Sequence, residues 1–558
     1  MTENKPVTGA TGATAEAEPE KKTNQATRIV MMLNSESGSG LFRSDAGDVY
    51  IHIPESDALP AKDYLCPSEE LSQRILLFFC DVTGNIPSRD AVKGAMQYLQ
   101  ATALTDPDIP TIKADVRHTW ITDDAGKHTI YLDLCEPGNS RAIAITAQGY
   151  KIVDEPKDAV LIRPNGSLPL PIPDKTDTKE AMAELRTLLR CATEDDWVAA
   201  VKFLVCCLAP FNQRLILFLG GTAGSGKTTF MRLLRHLFDP TVHSEAVRPK
   251  KEDFFILAKH CAILCVDNVS GIPVWFADYL CCLATGATAQ QRELYSNYGL
   301  CSFRFHRAVV LTSIADLAWR EDLGSRSVDI RLHPITERVS DDELIATVER
   351  LRPKILHALC NAASHALACP VKGVVVHRMQ AVADWFASCA PALDITVEQM
   401  RSSNEASAID LTEAHLDSSP IADPIIRMCE DYIIGGKVGI NQGSEYWPTP
   451  HTKTWATADL YREIDAVATL AEKRNKHWPD GSRALGQKLG EITTSLPTRG
   501  IEIVRAKSGN WRGWTFNWND MARVRTLPKA PRGTKPKHID PDDDFNYDDD
   551  YGFGEDDE

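Results

Sequence analysis

The stretch "RLILFLGGTAGSGKTTFMRLLRHLF", Arg214–Phe238, constrains this chain more than any other. Its uninterrupted apolar run reads as a strand buried on both faces. The run empties into a glycine-rich loop, and the loop opens an amphipathic helix. Gly221-Thr222-Ala223-Gly224-Ser225-Gly226-Lys227-Thr228 fits the phosphate-binding pattern G-x-x-x-x-G-K-[ST], with Thr229 next in line. Each residue type has a chemical reason. Glycines let backbone N–H groups turn inward around a phosphate, and the helix N-terminus adds positive potential. Lys227 reaches the β- and γ-phosphates, while the Thr228 hydroxyl ligates Mg2+. ATP and Mg2+ are therefore the expected cofactors, bound at Gly221–Thr229 in a parallel α/β sheet.

Three further stations follow in order. "CAILCVDNVSG" is a second strand ending on Asp267, expected to hold Mg2+ together with Thr228. Beside it stands Asn268, where such sites usually carry a second acid; an amide cannot take a proton from water. Asp278 or Glu293 would then supply the missing carboxylate. "AVVLTS" is a third strand, ending on Thr312 and Ser313, with Thr312 placed as a polar sensor of the γ-phosphate. "REDLGSR" puts Arg326 where a ring ATPase projects an arginine into its neighbour's site, a contact worth about 10³–10⁵ in rate. The alternative for Arg326 is a surface cap or salt bridge. The candidate catalytic residues are thus Lys227, Asp267, Asn268, Thr312 and Arg326.

No run of 18 apolar residues occurs in the 558, so no membrane span is expected. The N-terminus lacks the apolar core of a signal peptide, and none of the 15 cysteines forms a C-x-x-C pair. These features point to a cytoplasmic protein with reduced cysteines. Much of the net charge of −16 sits in the last 19 residues, which hold 11 acids and no base. A basic stretch, Arg523–Lys537, precedes them. Composition and pattern divide the chain into a disordered leader (1–27), an accessory α+β domain (28–165) and a P-loop core with helical lead-in and lid (175–400). A linker (401–419), a C-terminal module (420–525) and a disordered basic-then-acidic tail (526–558) follow.

The C-terminal module reads as helix, turn "WPDGS", a second helix "SRALGQKLGEITTSL", and two strands about the turn "KSGN". That is a winged-helix layout, with Arg483, Gln487 and Lys488 on the second helix and Lys507, Trp511 and Arg512 on the wing as nucleic-acid contacts. The alternative is a winged helix used for protein contacts. In "IYLDLCE", Asp133 and Glu136 are three apart on one strand and so face opposite sides, which argues against a primase metal pair.

Together, "GTAGSGKTT", "VDNVSGI", "DYLCCLATGATAQQRELY", "AVVLTSI", "DLGSRSVDIRL" and "LRPKILHAL" resemble the ATPase core of phage- and plasmid-type primase-helicases. These are superfamily III helicase-like members of the AAA+ class. The resemblance covers about residues 180–400 and extends more weakly to the winged helix. The fold class it implies is multidomain α/β, an AAA+ core between an N-terminal α+β domain and a C-terminal winged helix. It further implies a homo-oligomeric ring, a hexamer, translocating on single-stranded DNA. The hairpin "RELYSNYGLCSFRF" would then grip DNA in the channel through Arg292, Tyr295 and Arg304. The acidic tail, with Phe545, Tyr547, Tyr551 and Phe553, offers a contact for a primase or single-strand-binding partner. The expected function is an ATP-dependent DNA helicase or translocase in replication of a phage, plasmid or integrated element. The alternative is an ATP-switched loading or defence protein that assembles and recruits partners without moving along DNA; Asn268 is the residue that favours it.

Overall fold

The computed structural model describes residues 24–35, 39–54, 62–222, 224–242, 246–247, 249–292, 300–303, 306–313, 321–332, 340–375, 377–434, 451–475, 477–508 and 511–518. The chain divides into two compact units, Met1–Ile112 and Lys113–Glu558. The division falls inside the block 28–165 that composition alone groups together. The expected tail (526–558) and nearly all of the leader lie outside the described residues.

The first unit contains α1 (Gln25–Ser35), β1 (Gly40–Ser44), β2 (Val49–Ile53), β3 (Lys62–Leu65), α2 (Glu69–Thr83) and α3 (Arg89–Thr105). Antiparallel pairing runs β1–β2–β3. Ser68 and Ser88 start the two longer helices, their hydroxyls accepting from the N–H groups of Leu71 and Ala91. Leu71, Ile75 and Phe79 of α2 and Val92 and Leu99 of α3 bury against Ile51, Ile53, Ile29 and Leu33.

The second unit begins within β4 (Thr111–Val116). It continues through β5 (His118–Thr122), β6 (His128–Asp133), β7 (Ala142–Thr146), β8 (Gly149–Val153) and β9 (Ala159–Ile162). β5 to β8 form an antiparallel meander. Between β4 and β5 the chain turns at Arg117, which has a φ of 63°. The reason is long-range. The Arg117 guanidinium is buried and donates to Asp239 Oδ1 (3.3 Å) and to the carbonyls of Asp133, Leu168 and Pro240. Asp239 Oδ2 in turn accepts from the N–H groups of Ala262 and Ile263. Asp239→Ala would leave a buried guanidinium without its carboxylate. We expect a loss of about 3–5 kcal/mol, read as a lowered urea midpoint.

Next come α4 (Thr178–Leu189), α5 (Glu194–Cys206), β10 (Ile216–Gly220), α6 (Lys227–Phe238), β11 (Ala246–Val247), α7 (Phe254–Lys259) and β12 (Ile263–Asp267). α8 (Val274–Thr285), the hairpin β13 (Ala289–Arg292) and β14 (Leu300–Phe303), β15 (Ala308–Thr312), α9 (Glu321–Gly324) and β16 (Ser327–Arg331) follow. The strands pair in the order β11–β12–β15–β10–β16, all parallel. Both faces are covered, which is why these strands read as unbroken apolar runs. In β10, Leu217 and Leu219 join the core under α5 and α6, while Ile216 and Phe218 join the one under α7 and α8.

The chain continues as α10 (Asp341–Ala368), α11 (Gln380–Cys389) and α12 (Val397–Ser418). The expected linker 401–419 is therefore almost entirely helix. A Thr396–Gln399 capping box starts α12. Its polar residues, which suggest a linker, instead dock on α5: Ser403 donates to the Asp195 carbonyl, and Asn404 accepts from Lys202 at 2.8 Å.

The last elements are α13 (Ala422–Ile434), β17 (His451–Ala456), α14 (Thr457–Val467), α15 (Leu470–Lys473), α16 (Ser482–Ile492), β18 (Ile501–Ser508) and β19 (Trp511–Trp518). Here the strand order is β17–β19–β18, antiparallel. Leu460, Ile464, Leu485 and Leu489 of the helices bury against Trp455, Ile501, Ile503 and Phe516 of the sheet. Among the described residues no helix is long and apolar enough to cross a membrane.

Candidate functional site

β10 ends at Gly220 and the chain turns through the glycine-rich loop into α6. Gly221, Gly224 and Gly226 have φ values of 145°, 77° and 84°, a region that favours glycine. A Cβ on Gly221 would also lie 2.7 Å from Ser225 Oγ and 3.2 Å from the Leu332 carbonyl. Lys227 is only 7% exposed, and its ammonium donates to the carbonyls of Gly221 and Thr222, both at 2.8 Å. Burial pulls its pKa down, against the opposing pull of Asp267. Ser225 Oγ is buried with no hydrogen-bond partner among the described residues. Thr222 is exposed and Thr229 half-buried in the first turn of α6; Ala223 lies outside the described residues.

β15 lies between β12 and β10, so the ends of all three strands meet at this loop. Asp267, at the end of β12, accepts from Thr228 Oγ1 at 3.0 and 3.1 Å. It also accepts from the hydroxyl of Thr312, at the end of β15. Thr312 Oγ1 itself accepts from the N–H of Asn268 (2.9 Å), and the Thr312 carbonyl from the N–H of Val269 (2.8 Å). Ser313 follows, its N–H on the Leu219 carbonyl at 3.2 Å. The cluster joins Lys227, Thr228, Asp267, Asn268 and Thr312 into one site at the carboxyl end of the sheet. Turned N–H groups and a lysine suit an oxyanion; a hydroxyl beside a carboxylate suits a hard divalent cation. The loop residues thus fit a phosphate, and Thr228 with Asp267 fits Mg2+.

Arg326 is not brought to this cluster. It precedes β16, whose Ser327 is in register with Ile216 and whose Arg331 is in register with Gly220. It stands at the opposite end of the sheet, about 17 Å from the loop at 3.3 Å per residue. There it is half-buried, with Nη1 donating to the Asp322 carbonyl. Asp278 is exposed on α8, and its carboxylate and the Arg326 guanidinium act in opposite directions on the Cys282 thiol. Glu293 lies outside the described residues.

The hairpin reading has a structural counterpart: Ala289–Arg292 pairs antiparallel with Leu300–Phe303. Arg292 is its last paired residue on the first strand; Tyr295 and Arg304 lie outside the described residues. In the C-terminal module, Arg483 and Gln487 are exposed one turn apart on α16. Lys488 is held by Glu491 at 2.8 Å. Lys507 and Arg512 are exposed and directly opposite each other near the tip of β18–β19, beside Trp511. Like charges facing across a ladder disfavour the hairpin unless an anion lies between them. Sequence reasoning missed Arg505. It stacks 5.4 Å from the Trp514 ring centroid, and its guanidinium borders Gly490 of α16. The alternation Ile501, Ile503, Arg505 was the available signal, since it puts Arg505 on the face that meets the helices.

Asp133 and Glu136 are each held by an arginine. Arg163 grips the buried Asp133 carboxylate through two nitrogens, at 2.6 and 2.8 Å, and Arg141 holds Glu136 at 3.0 Å.

Residues 182–414 match the family described as actinomycete integrative conjugative element replication protein. The matched segment runs from α4 into α12 and includes the whole loop-centred cluster. This similarity points to a replication-related protein of a mobile element. No curated protein matches the chain. An apo structure of the NrS-1 C-terminal region aligns over 88% of this chain and 99% of its own, with 10% identity and a TM-score of 0.35. A second, of residues 305–718 of that protein, aligns over 88% and 98%, with 11% identity and the same TM-score. At these scores the two structures carry no weight for fold or function.

Proposed function

We propose that this protein is an ATP-dependent DNA helicase or translocase, working as a ring in replication of a mobile element. The observation that carries the reading is the cluster at the carboxyl ends of β10, β12 and β15, where Lys227, Thr228, Asp267 and Thr312 converge. In open α/β sheets ligands bind at this end, where strand order reverses. The loop N–H groups and Lys227 would hold the ATP phosphates, and Thr228 with Asp267 would hold Mg2+. When bound, Mg2+ supplies positive charge that offsets charge on the phosphates. Thr312 fixes the Asp267 carboxylate, and buried Lys227 keeps its proton within reach of the loop. Arg326 lies too far away to act on its own chain's site, so an AAA+-type ring in which it serves a neighbour accounts for its position. The family match supports the replication setting.

The last module has the order helix, strand, three helices and a hairpin, with exposed Arg483, Gln487, Lys507 and Arg512. This supports a winged helix that binds DNA. The double variant Lys507→Ala/Arg512→Ala is expected to weaken DNA binding uniformly across sequences. It should lower the slope of log affinity against log salt by about 2, measured by fluorescence anisotropy.

A second reading, an ATP-switched protein that assembles without translocating, is favoured by Asn268, an exposed amide where a carboxylate would activate water. ATP turnover with and without single-stranded DNA, on material of measured oligomeric state, separates the two. DNA-stimulated turnover by a ring supports the motor. ATP-dependent assembly without turnover supports the switch.

A further inference from the structure

Asn268 has the backbone geometry of a residue chosen for its turn. Its φ is 56°, in the left-handed region, where most side chains cost about 1–2 kcal/mol and glycine and asparagine are tolerated best. Its side chain is exposed and makes no hydrogen bond among the described residues. Its N–H, by contrast, points at a buried hydroxyl: Thr312 is 0% exposed, and its Oγ1 accepts that N–H at 2.9 Å.

A hydroxyl has one proton and two acceptor lone pairs. With Asn268 N–H occupying the acceptor side and water excluded, the Thr312 proton is directed to Asp267 Oδ1. The next N–H, of Val269, binds the Thr312 carbonyl at 2.8 Å, so two successive amides clamp the end of β12 to the end of β15. The left-handed turn comes immediately after Asp267, where β12 stops.

We infer that Asn268 is a positioning residue that acts through its backbone, turning its N–H onto Thr312 so that the Thr312 hydroxyl holds the Asp267 carboxylate in place for a divalent cation. This rests on the nucleotide-site reading and deepens it. Asn268 is then neither the water-activating group nor a defective glutamate. A glutamate here would bring a carboxylate at the expense of the turn.

The amide and the turn are separated by two variants. Asn268→Gly removes the amide and keeps the left-handed turn; Asn268→Ala removes the amide and strains the turn. Thr312→Ser keeps the hydroxyl and Thr312→Val removes it. The measurement is binding of a fluorescent ATP analogue, titrated with Mg2+ and repeated without it, alongside thermal unfolding of each protein. Asn268→Gly and Thr312→Ser are expected within about twofold of wild type in half-saturating Mg2+. Asn268→Ala and Thr312→Val should need about five- to tenfold more Mg2+, with metal-free nucleotide binding unchanged. If Asn268→Gly is as impaired as Asn268→Ala, the amide itself acts and the inference is overturned. The same follows if Asn268→Ala matches wild type, or if Asn268→Glu binds Mg2+ better than wild type. Failure of the wild type to bind the analogue at all is a different result: it removes the nucleotide site, and this inference with it.

Discussion

Lys227→Ala is expected to reduce ATP turnover by at least about 10²–10³ while leaving the unfolding midpoint within about a degree of wild type. The ammonium is nearly buried and rests on two carbonyls of its own loop. It is therefore held in the loop by groups that a bound phosphate could replace. Alanine removes the positive charge from the cradle but leaves the glycine turns and α6 intact. Turnover and thermal unfolding measured on the same preparation check both halves of the statement. An undiminished rate would remove the site assignment.

Arg326→Ala is expected to lower turnover by about 10³ or more and to spare nucleotide binding. The argument is positional. The register of β16 against β10 places Arg326 a full strand length from the loop of its own chain, so an effect on hydrolysis would have to come from another copy. That arrangement allows complementation. Mixed assemblies of Lys227→Ala and Arg326→Ala subunits contain some sites with an intact loop and an intact arginine from different chains. Such mixtures should recover turnover that neither variant shows alone. Loss of stability without complementation would make Arg326 a cap of α9, the role its bond to the Asp322 carbonyl also fits.

The central site was legible because phosphate chemistry leaves few choices of residue. A buried strand, a glycine turn, a lysine and a hydroxyl must follow one another in sequence, and Arg214–Phe238 supplies them in order. The partners of that loop were legible from strand ends, since Asp267 and Thr312 each close an apolar run. What sequence could not show was dictated by contacts distant in the chain. Arg117 looks like an ordinary strand residue until Asp239, 122 positions away, is seen to bind it. Residues 401–419 look like a linker because polar side chains such as Ser403 and Asn404 read as solvent-facing, whereas in the fold these two bond to α5. β17 was missed because "HTKTWA" is short, with a single large apolar residue, Trp455, in the core. For Asn268, likewise, sequence displays the side chain, whereas the contact with Thr312 is made by its N–H at a φ of 56°.

The most direct test of the account is unwinding of a forked DNA duplex by the purified full-length protein, with ATP and Mg2+, beside Lys227→Ala. The account predicts strand separation that requires ATP and disappears in Lys227→Ala, from an assembly of several subunits. ATP-dependent assembly on DNA with no strand separation and no turnover would contradict it.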